Sequence, residues 1–253
     1  MISSLIDANE PDRIALITQD NQHISYGKLC DDIYQTKSLL MPSQLVFIIA
    51  KNDYMAVLFY LCCLEQGAIA LIIDADSPLL QIKHLLDTYT PAFIVAPSEN
   101  PFEQDDYKSC FNKMDYTLFQ RKQFVPFTPY TDLAFLMSTS GSTGSPKLVR
   151  FTKQNLIANA LSIQNYLEIS PDDRAIANLP ISYSYGLSII NSHLIAGASL
   201  VLSNLSLMDK SFWETMRHHK VTSFAGVPYH YEMLLRLKLE NLNLPHLKKM
   251  TQA

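Results

Sequence analysis

The chain of 253 residues is 48% hydrophobic and 17% charged, with a formal net charge of −4. This is the composition of an ordinary globular chain, long enough for one large domain or two small ones. Because the net charge is negative and no basic stripe is visible, the sequence argues against a nucleic-acid partner.

The chain shows no sign of export or membrane insertion. No basic segment followed by an apolar core stands at the N-terminus, and the longest apolar run, residues 55–64, is half of what spans a bilayer. Cys62 and Cys63 are adjacent within that run, which indicates core packing in a reducing compartment. The cysteines and histidines show no metal-ligand spacing. We therefore expect a cytoplasmic protein with no metal site of its own and no membrane span.

The first part of the chain alternates strand-like apolar runs with helical patterns. Residues 13–18 and 22–25 predict a hairpin around Asp20-Asn21. Ser25 is a suitable N-cap for the first helix, and Gly67 for the end of the second. Predicted helices span 26–40, 53–66 and 77–89, and predicted strands span 44–50, 68–73 and 92–96. The alternation predicts an α/β fold with parallel-rich sheets covered by helices.

Residues 97–131 are polar, aromatic and proline-containing, and predict a surface excursion without assigned elements. A second α/β run follows. Its predicted strands span 133–137, 174–179, 199–202 and 221–225, and its predicted helices span 153–167, 185–196, 208–219 and 228–240. We expect two α/β subdomains, residues 1–132 and 133–253. A further strand begins near Met250, so the second subdomain is expected to be truncated and the chain to be a fragment.

One stretch of the chain has the features of a phosphate-binding loop. After the apolar run 133–137, Gly141 and Gly144 let backbone N–H groups approach an anion, and Lys147 adds a positive charge. Further hydroxyl donors are Ser138, Thr139, Ser140, Ser142 and Thr143. The spacing is not that of a Walker loop, and Pro146 favours a connection from strand to strand. The alternative, a flexible Ser/Gly linker, is less favoured because the loop lies between two apolar runs.

Residues 138–147, Ser-Thr-Ser-Gly-Ser-Thr-Gly-Ser-Pro-Lys, resemble the phosphate-binding signature of the adenylate-forming (AMP-binding) enzymes. That superfamily includes acyl-CoA synthetases, luciferases and the adenylation domains of peptide synthetases. Residues 24–29, 64–74, 180–187 and 226–229 resemble four further family segments. Five segments in the family's order make the resemblance specific, and it covers nearly the whole chain. Within the superfamily, the chain resembles the acyl-CoA synthetases, and it resembles the N-terminal portion of such an enzyme.

The resemblance implies a reaction in which a carboxylic acid and ATP give an acyl-adenylate and pyrophosphate, followed by a thioester with CoA or another thiol. It places Lys147 in a catalytic role and Tyr183, Gly186 and Gly226 on the acyl side. The residues it implies in phosphate binding are Thr139, Ser140, Gly141, Ser142, Thr143, Gly144 and Lys147. It also implies Mg²⁺, held by a Glu that lies outside this chain.

The chain departs from the family pattern in several places. Leu148 follows Lys147 where the family usually has Gly, and Tyr183 stands where the family often has His. The family's adenine-stacking segment and its C-terminal domain with the catalytic Lys have no counterpart here. Two hypotheses follow: the N-terminal portion of a ligase, inactive alone, or a non-catalytic nucleotide-binding or interaction fragment. No Asp lies between Arg174 and Leu205, which favours a free carboxylic acid over an α-amino acid.

Overall fold

A computed structural model describes residues 5–6, 9–99, 106–123, 128–138, 147–238 and 242–253. Strands and helices alternate along most of this length. In chain order the elements are β1 (Ile14–Ile17), β2 (His23–Ser25), α1 (Tyr26–Lys37), β3 (Leu45–Ala50), α2 (Tyr54–Gln66), β4 (Ile69–Asp74), α3 (Leu79–Tyr89), β5 (Phe93–Pro97), β6 (Tyr107–Lys113), β7 (Tyr116–Arg121), β8 (Leu133–Ser138), β9 (Leu148–Thr152), α4 (Lys153–Tyr166), β10 (Arg174–Ala177), α5 (Ser184–Ile195), β11 (Ser199–Leu202), α6 (Lys210–His218), β12 (Ser223–Gly226), α7 (Pro228–Leu237) and β13 (Lys249–Gln252).

These strands form two sheets. A seven-stranded sheet has the order β6-β7-β5-β3-β4-β8-β9, and a six-stranded sheet has the order β13-β12-β10-β11-β1-β2. The central pairs of both sheets are parallel, whereas β6, β7, β9 and β2 pair antiparallel at the edges. This confirms the predicted α/β fold with parallel-rich sheets covered by helices.

The two sheets face each other across a shared apolar core. Alternate side chains of β3 take opposite faces: Val46 and Ile48 join the cluster between the sheets, whereas Phe47 and Ile49 join a cluster with α3. The cluster between the sheets also takes side chains from β10, β11, α2 and α5. Helix α2 is buried on every side from residue 54 to residue 64, which explains why its apolar residues show no amphipathic period. The helices α6 and α7 cover the outer face of the six-stranded sheet.

Local sequence signals fix the ends of several elements. The Ser25 hydroxyl accepts a hydrogen bond from the Lys28 amide at the start of α1, as the sequence predicts. Gly67 ends α2 at φ 74°, a left-handed conformation that glycine adopts without a Cβ penalty. Thr152 and Asn155 form a reciprocal capping box at the start of α4. These signals are local, and the sequence therefore predicts these boundaries within a few residues.

The structure differs from the sequence expectation in two respects. The region 97–131 holds the hairpin β6–β7, which extends the edge of the seven-stranded sheet through β5. The sheets also cross the predicted division at residue 132: β1 and β2 join the six-stranded sheet, and β8 and β9 join the seven-stranded sheet. The predicted subdomains, residues 1–132 and 133–253, stay a prediction, and the division of the strands between the two sheets does not follow that boundary.

Over the described residues, every helix is too short or too polar to cross a membrane.

Candidate active site

The candidate phosphate-binding loop joins two antiparallel neighbours in the seven-stranded sheet. Ser138 at the end of β8 pairs with Leu148 at the start of β9. The predicted strand-to-strand connection is therefore confirmed. Strand β8 runs parallel to β4, so the loop leaves the sheet at its carboxyl edge, where open α/β sheets bind ligands.

Most of the loop lies outside the described residues. This holds for Thr139, Ser140, Gly141, Ser142, Thr143 and Gly144, whose phosphate contacts stay a prediction. Lys147 is described and exposed just before β9, on the same connection. Contact of its side chain with a phosphate stays a prediction.

Asn52 ties the carboxyl edges of the two sheets together. Its Nδ2 donates to the carbonyls of Ala177 (2.9 Å) and Leu179 (2.8 Å), and its Oδ1 accepts from the Ile181 amide at 2.8 Å. The Asn52 backbone amide also donates to Asn204 Oδ1 at 2.9 Å. Asn52 follows β3, whereas the groups it binds lie at the end of β10 or just after β10 and β11. These bonds therefore fix the segment that leads into α5.

A cavity of about 990 Å³ opens between α4, α5, β8, β9 and the strands β12 and β13. Its walls are mainly apolar and include Phe135, Met137 and Phe151. Met137 stands one residue before the end of β8, so the cavity begins beside the candidate phosphate loop. A largely apolar pocket with a few polar groups is typical of small-molecule sites.

Helix α5 supplies the polar groups of one wall. Ser184, Tyr185, Ser188, Asn191 and Ser192 line the cavity at helical spacing, in a helix whose other residues, apart from His193, are apolar or glycine. The Tyr185 hydroxyl donates to Thr251 Oγ1 at 2.7 Å and joins α5 to β13. Sequence reasoning assigned none of these residues to the site. The available signal was the recurrence of short polar residues every three or four positions in an apolar helix.

His193 lies in the last turn of α5, at the C-terminal end of this wall. Its Nδ1 lies 2.9 Å from the Ile189 carbonyl, which can only accept, so Nδ1 carries the proton. Nε2 then accepts from the Ser223 hydroxyl at 3.2 Å. Burial lowers the pKa of His193 to about 4, so the ring is neutral at physiological pH. The sequence predicts a structural role for His193, and its hydrogen bonds join it to other parts of the fold. The residue also lines the cavity.

The three residues predicted on the acyl side lie around the cavity without lining it. Tyr183 is the N-cap of α5 and is 54% exposed. Gly186 is buried, and a Cβ placed there would lie 2.2 Å from the Pro180 carbonyl oxygen. Gly226 is buried at the end of β12, where a Cβ would meet His230 and Tyr231 at 3.0 Å. Close packing accounts for both glycines, and substrate contact by any of the three stays a prediction.

The described part of the site combines a strand–loop–strand connection at the carboxyl edge of one sheet with a largely apolar cavity beside it. The model of the AMP-binding enzyme family matches residues 6–252. The chain therefore belongs to the adenylate-forming, AMP-binding enzyme family, as its five sequence segments predicted. Members of this family include acid–CoA ligases and the adenylation domains of peptide synthetases.

Relatives in sequence fall into both of these groups. The chain is 28% identical over 206 residues to the dimodular nonribosomal peptide synthase of Bacillus subtilis (strain 168), covering 76% of this chain and 9% of the relative. It is 35% identical over 96 residues to the sulfoacetate–CoA ligase of Cupriavidus necator, covering 38% of this chain and 19% of the relative. The chain thus spans a minor part of the length of these curated relatives.

Solved structures show the same fold. The structure of CmiS6 aligns with a TM-score of 0.84 and 22% identity, covering 99% of this chain and 64% of that one. The O-succinylbenzoate coenzyme A synthetase MenE of Bacillus subtilis, in complex with AMP, aligns with a TM-score of 0.76 and 22% identity, covering 97% of this chain and 65% of that one. At this identity the likeness establishes the fold alone.

Proposed function

We propose that this chain is the acid-binding and phosphate-binding portion of an ATP-dependent ligase that forms an acyl-adenylate and then an acyl thioester. The observation that supports this most strongly is that Met137, one residue before the end of β8, lines the 990 Å³ cavity, while Ser138 and Leu148 pair at the base of the β8–β9 connection. In this proposal a triphosphate bound by the loop and a carboxylate at the cavity mouth would be adjacent, as adenylation requires. Within this proposal the thiol is CoA or a carrier-bound thiol.

The loop would act on the leaving group. When a carboxylate oxygen attacks the α-phosphorus, the bond to the β-phosphate oxygen breaks and negative charge develops on pyrophosphate. Backbone N–H groups, the hydroxyls of residues 138–143 and the Lys147 ammonium would stabilise that charge and hold the phosphates in line. Mg²⁺ would neutralise the phosphates further, and its protein ligand in this proposal lies outside the chain. Within the described residues, no three His, Cys, Asp or Glu side chains group to hold a metal ion.

The cavity favours a free carboxylic acid over an α-amino acid. An ammonium group inside a largely apolar pocket needs a carboxylate partner, because burying an unpaired charge is costly. The described residues that line the cavity include no Asp or Glu. Ser184 stands at the helix start, where it offers a neutral hydroxyl. This agrees with the acid–CoA ligase side of the family.

The test is acid-dependent exchange of labelled pyrophosphate into ATP, run with the full-length product of the gene and a panel of fatty, hydroxy, aromatic and amino acids. We expect exchange with at least one free carboxylic acid and none with amino acids. Exchange that depends on an amino acid contradicts the substrate class. No exchange with any acid contradicts the ligase function and leaves a nucleotide-binding or interaction role.

A further inference from the structure

A second cavity lies on the face of the seven-stranded sheet that packs against α3. It encloses about 450 Å³, within the range of small-molecule sites. Leu136 of β8 lines it, whereas Phe135 and Met137 line the 990 Å³ cavity, because successive side chains of a strand point to opposite faces. Among the described lining residues, Arg150 on the edge strand β9 is common to both cavities. The proposed function gives this second cavity no role.

One end of the second cavity contains Arg121. The Arg121 amide donates to the Ala92 carbonyl at 2.9 Å, and the Ala92 amide donates to the Leu45 carbonyl at 2.9 Å. These bonds bring together the end of β7 and the starts of β5 and β3. Gln44 and Thr90 stand beside the same strand ends and line the cavity, and their side chains form no hydrogen bond within the described residues. This end of the cavity is therefore polar and positively charged.

The Arg121 side chain is largely buried but incompletely paired. It is 15% exposed, and Nη2 lies 3.4 Å from Oδ2 of Asp106, longer than the roughly 2.7–2.9 Å of a good charge-assisted hydrogen bond. Asp106 is 68% exposed, so water screens its charge. The guanidinium also lies 5.6 Å from the centre of the Tyr107 ring. Within the described residues these contacts use only part of its five N–H donors. A buried charge in this situation favours a further anionic partner.

The rest of the second cavity is mainly apolar. Arg150 stands at its other end, exposed and 4.3 Å from the centre of the Tyr130 ring. In the strand order β7-β5-β3-β4-β8-β9 the two arginines are five steps apart, about 24 Å at ~4.8 Å per strand. The two guanidinium groups are therefore too far apart to bind one carboxylate or phosphate together. The apolar side chains along the cavity are Leu45, Leu133, Leu136 and Leu148.

We propose that the second cavity binds an organic anion, with a carboxylate or phosphate group on Arg121 and an apolar body along the four leucines. A guanidinium donates two parallel hydrogen bonds to such an oxyanion, and Gln44 and Thr90 offer neutral donors at the same end. A neutral apolar ligand would leave Arg121 incompletely paired, and a cation would be repelled by it. This inference does not rest on the proposed function, because the acid of that proposal binds on the other face of the sheet.

The experiment measures the binding of three probes with the same apolar body to this chain by calorimetry: octyl phosphate, octanoate and 1-octanol. We expect at least one of the two anions to bind roughly tenfold tighter than the alcohol, because hydrogen bonds between charged groups are the stronger ones. The anion that binds more tightly identifies the head group. In Arg121→Gln this preference over octanol disappears. In the matched control Arg150→Gln, at the other end of the cavity, it is kept.

The variant Asp106→Asn supplies a second measurement that does not require Arg121→Gln to fold. It removes the exposed carboxylate that competes for Arg121, so the preferred anion should bind about threefold tighter while octanol binding stays the same. Equal binding of the anions and octanol by the wild type overturns the inference. A preference that survives Arg121→Gln also overturns it, because the anion then binds elsewhere. Anion binding that is unchanged or weaker in Asp106→Asn contradicts the role of Arg121.

Discussion

Gly186 is the position in α5 where one added methyl group should do most damage. An alanine Cβ would lie 2.2 Å from the Pro180 carbonyl oxygen, 2.7 Å from the Leu179 carbonyl oxygen and 2.8 Å from the Pro180 carbonyl carbon. All three are backbone atoms, so no side chain can rotate away. The Leu179 carbonyl also accepts from Asn52, and a shift of this segment would break that bond between the sheets.

The expected cost can be worked from these contacts. Overpacking by a methyl group typically costs about 1–3 kcal/mol, and a buried amide that loses a partner adds about 1–3 kcal/mol. The gain from replacing glycine by alanine in a helix is about 0.5–1 kcal/mol. We expect Gly186→Ala to lower the free energy of unfolding by about 3 kcal/mol. At about 2–4 °C per kcal/mol for a chain of this size, Tm falls by about 6–12 °C.

The assay is thermal and urea unfolding followed by circular dichroism, with Gly27→Ala as the control. Gly27 also lies in a helix, but its nearest contact to an added Cβ is 3.1 Å, so the helix gain offsets the crowding. We expect Gly27→Ala to stay within about 1 kcal/mol of wild type. A Gly186→Ala protein as stable as the control would refute the close approach of α5 to the Pro180 segment.

Three further predictions concern buried polar groups. His193→Gln should make the free energy of unfolding less dependent on pH in acid. Folding lowers the pKa of His193 from 6.5 to about 4, so the neutral ring stabilises the folded state fully above pH 6.5. This stabilisation, about 3 kcal/mol in all, is lost as the pH falls towards 4. Asn52→Ala should cost about 2–4 kcal/mol, because several buried backbone groups lose their partners. Asp32→Asn should cost about 3 kcal/mol, because this buried carboxylate binds Lys28 at 2.8 Å and Lys113 at 2.7 Å.

Two of these predictions have a matched control. His84→Gln and Asp31→Asn change exposed residues of the same type and should leave the urea midpoint unchanged. For Asn52, the discriminating result is loss of stability together with loss of binding at the cavity, since the bonds it makes position the segment before α5. A pH profile of His193→Gln identical to wild type, or an Asp32→Asn protein of full stability, would show that these groups are not paired as described.

Burial works against the charge of Asp32, but hydrogen bonds from Lys113, Lys28 and Tyr54 outweigh it and hold the pKa of this carboxyl below its ordinary value. The sign of its pH dependence follows. A depressed carboxyl pKa contributes stability above the unfolded value of 3.8, and the contribution is lost as the pH falls below it. Both Asp32 and His193 therefore make the protein less stable in acid, over different pH ranges.

The sequence predicts the elements of this fold well wherever the signal is local. Pro146 and the surrounding glycines predict a strand-to-strand loop, and β8 and β9 are antiparallel neighbours. The sequence did not predict the hairpin β6–β7. Strand β6 lies at a sheet edge, with mostly exposed polar side chains and an irregular register, so neither its hydrophobic periodicity nor its composition indicates a strand. The pairing of β1 with β11 is non-local, and no pattern within either strand specifies it.

The residues of the candidate site also divide into those with a local sequence signal and those whose position depends on distant elements. Family segments indicated the candidate phosphate loop and the stretch before α5, because their residue types are tied to backbone geometry. Tyr185 and Ser188 were not found as cavity-lining residues, because their position depends on which face of α5 meets the cavity. That face is set by α4, β12 and β13, which are distant in sequence. Gly186 was assigned to the acyl side by resemblance, and the structure gives it a packing reason that only the position of Pro180 reveals.

The central claim is that acid and ATP react at the junction of the β8–β9 loop and the cavity. Its most direct test is detection of the acyl-adenylate by mass spectrometry, after the full-length gene product is mixed with ATP, Mg²⁺ and the acid panel. We expect the adenylate of at least one free acid, a yield roughly 100-fold lower in Lys147→Ala, and an unchanged yield in Lys83→Ala, which alters an exposed lysine of α3. No adenylate from any acid, or an undiminished yield in Lys147→Ala, would contradict the account.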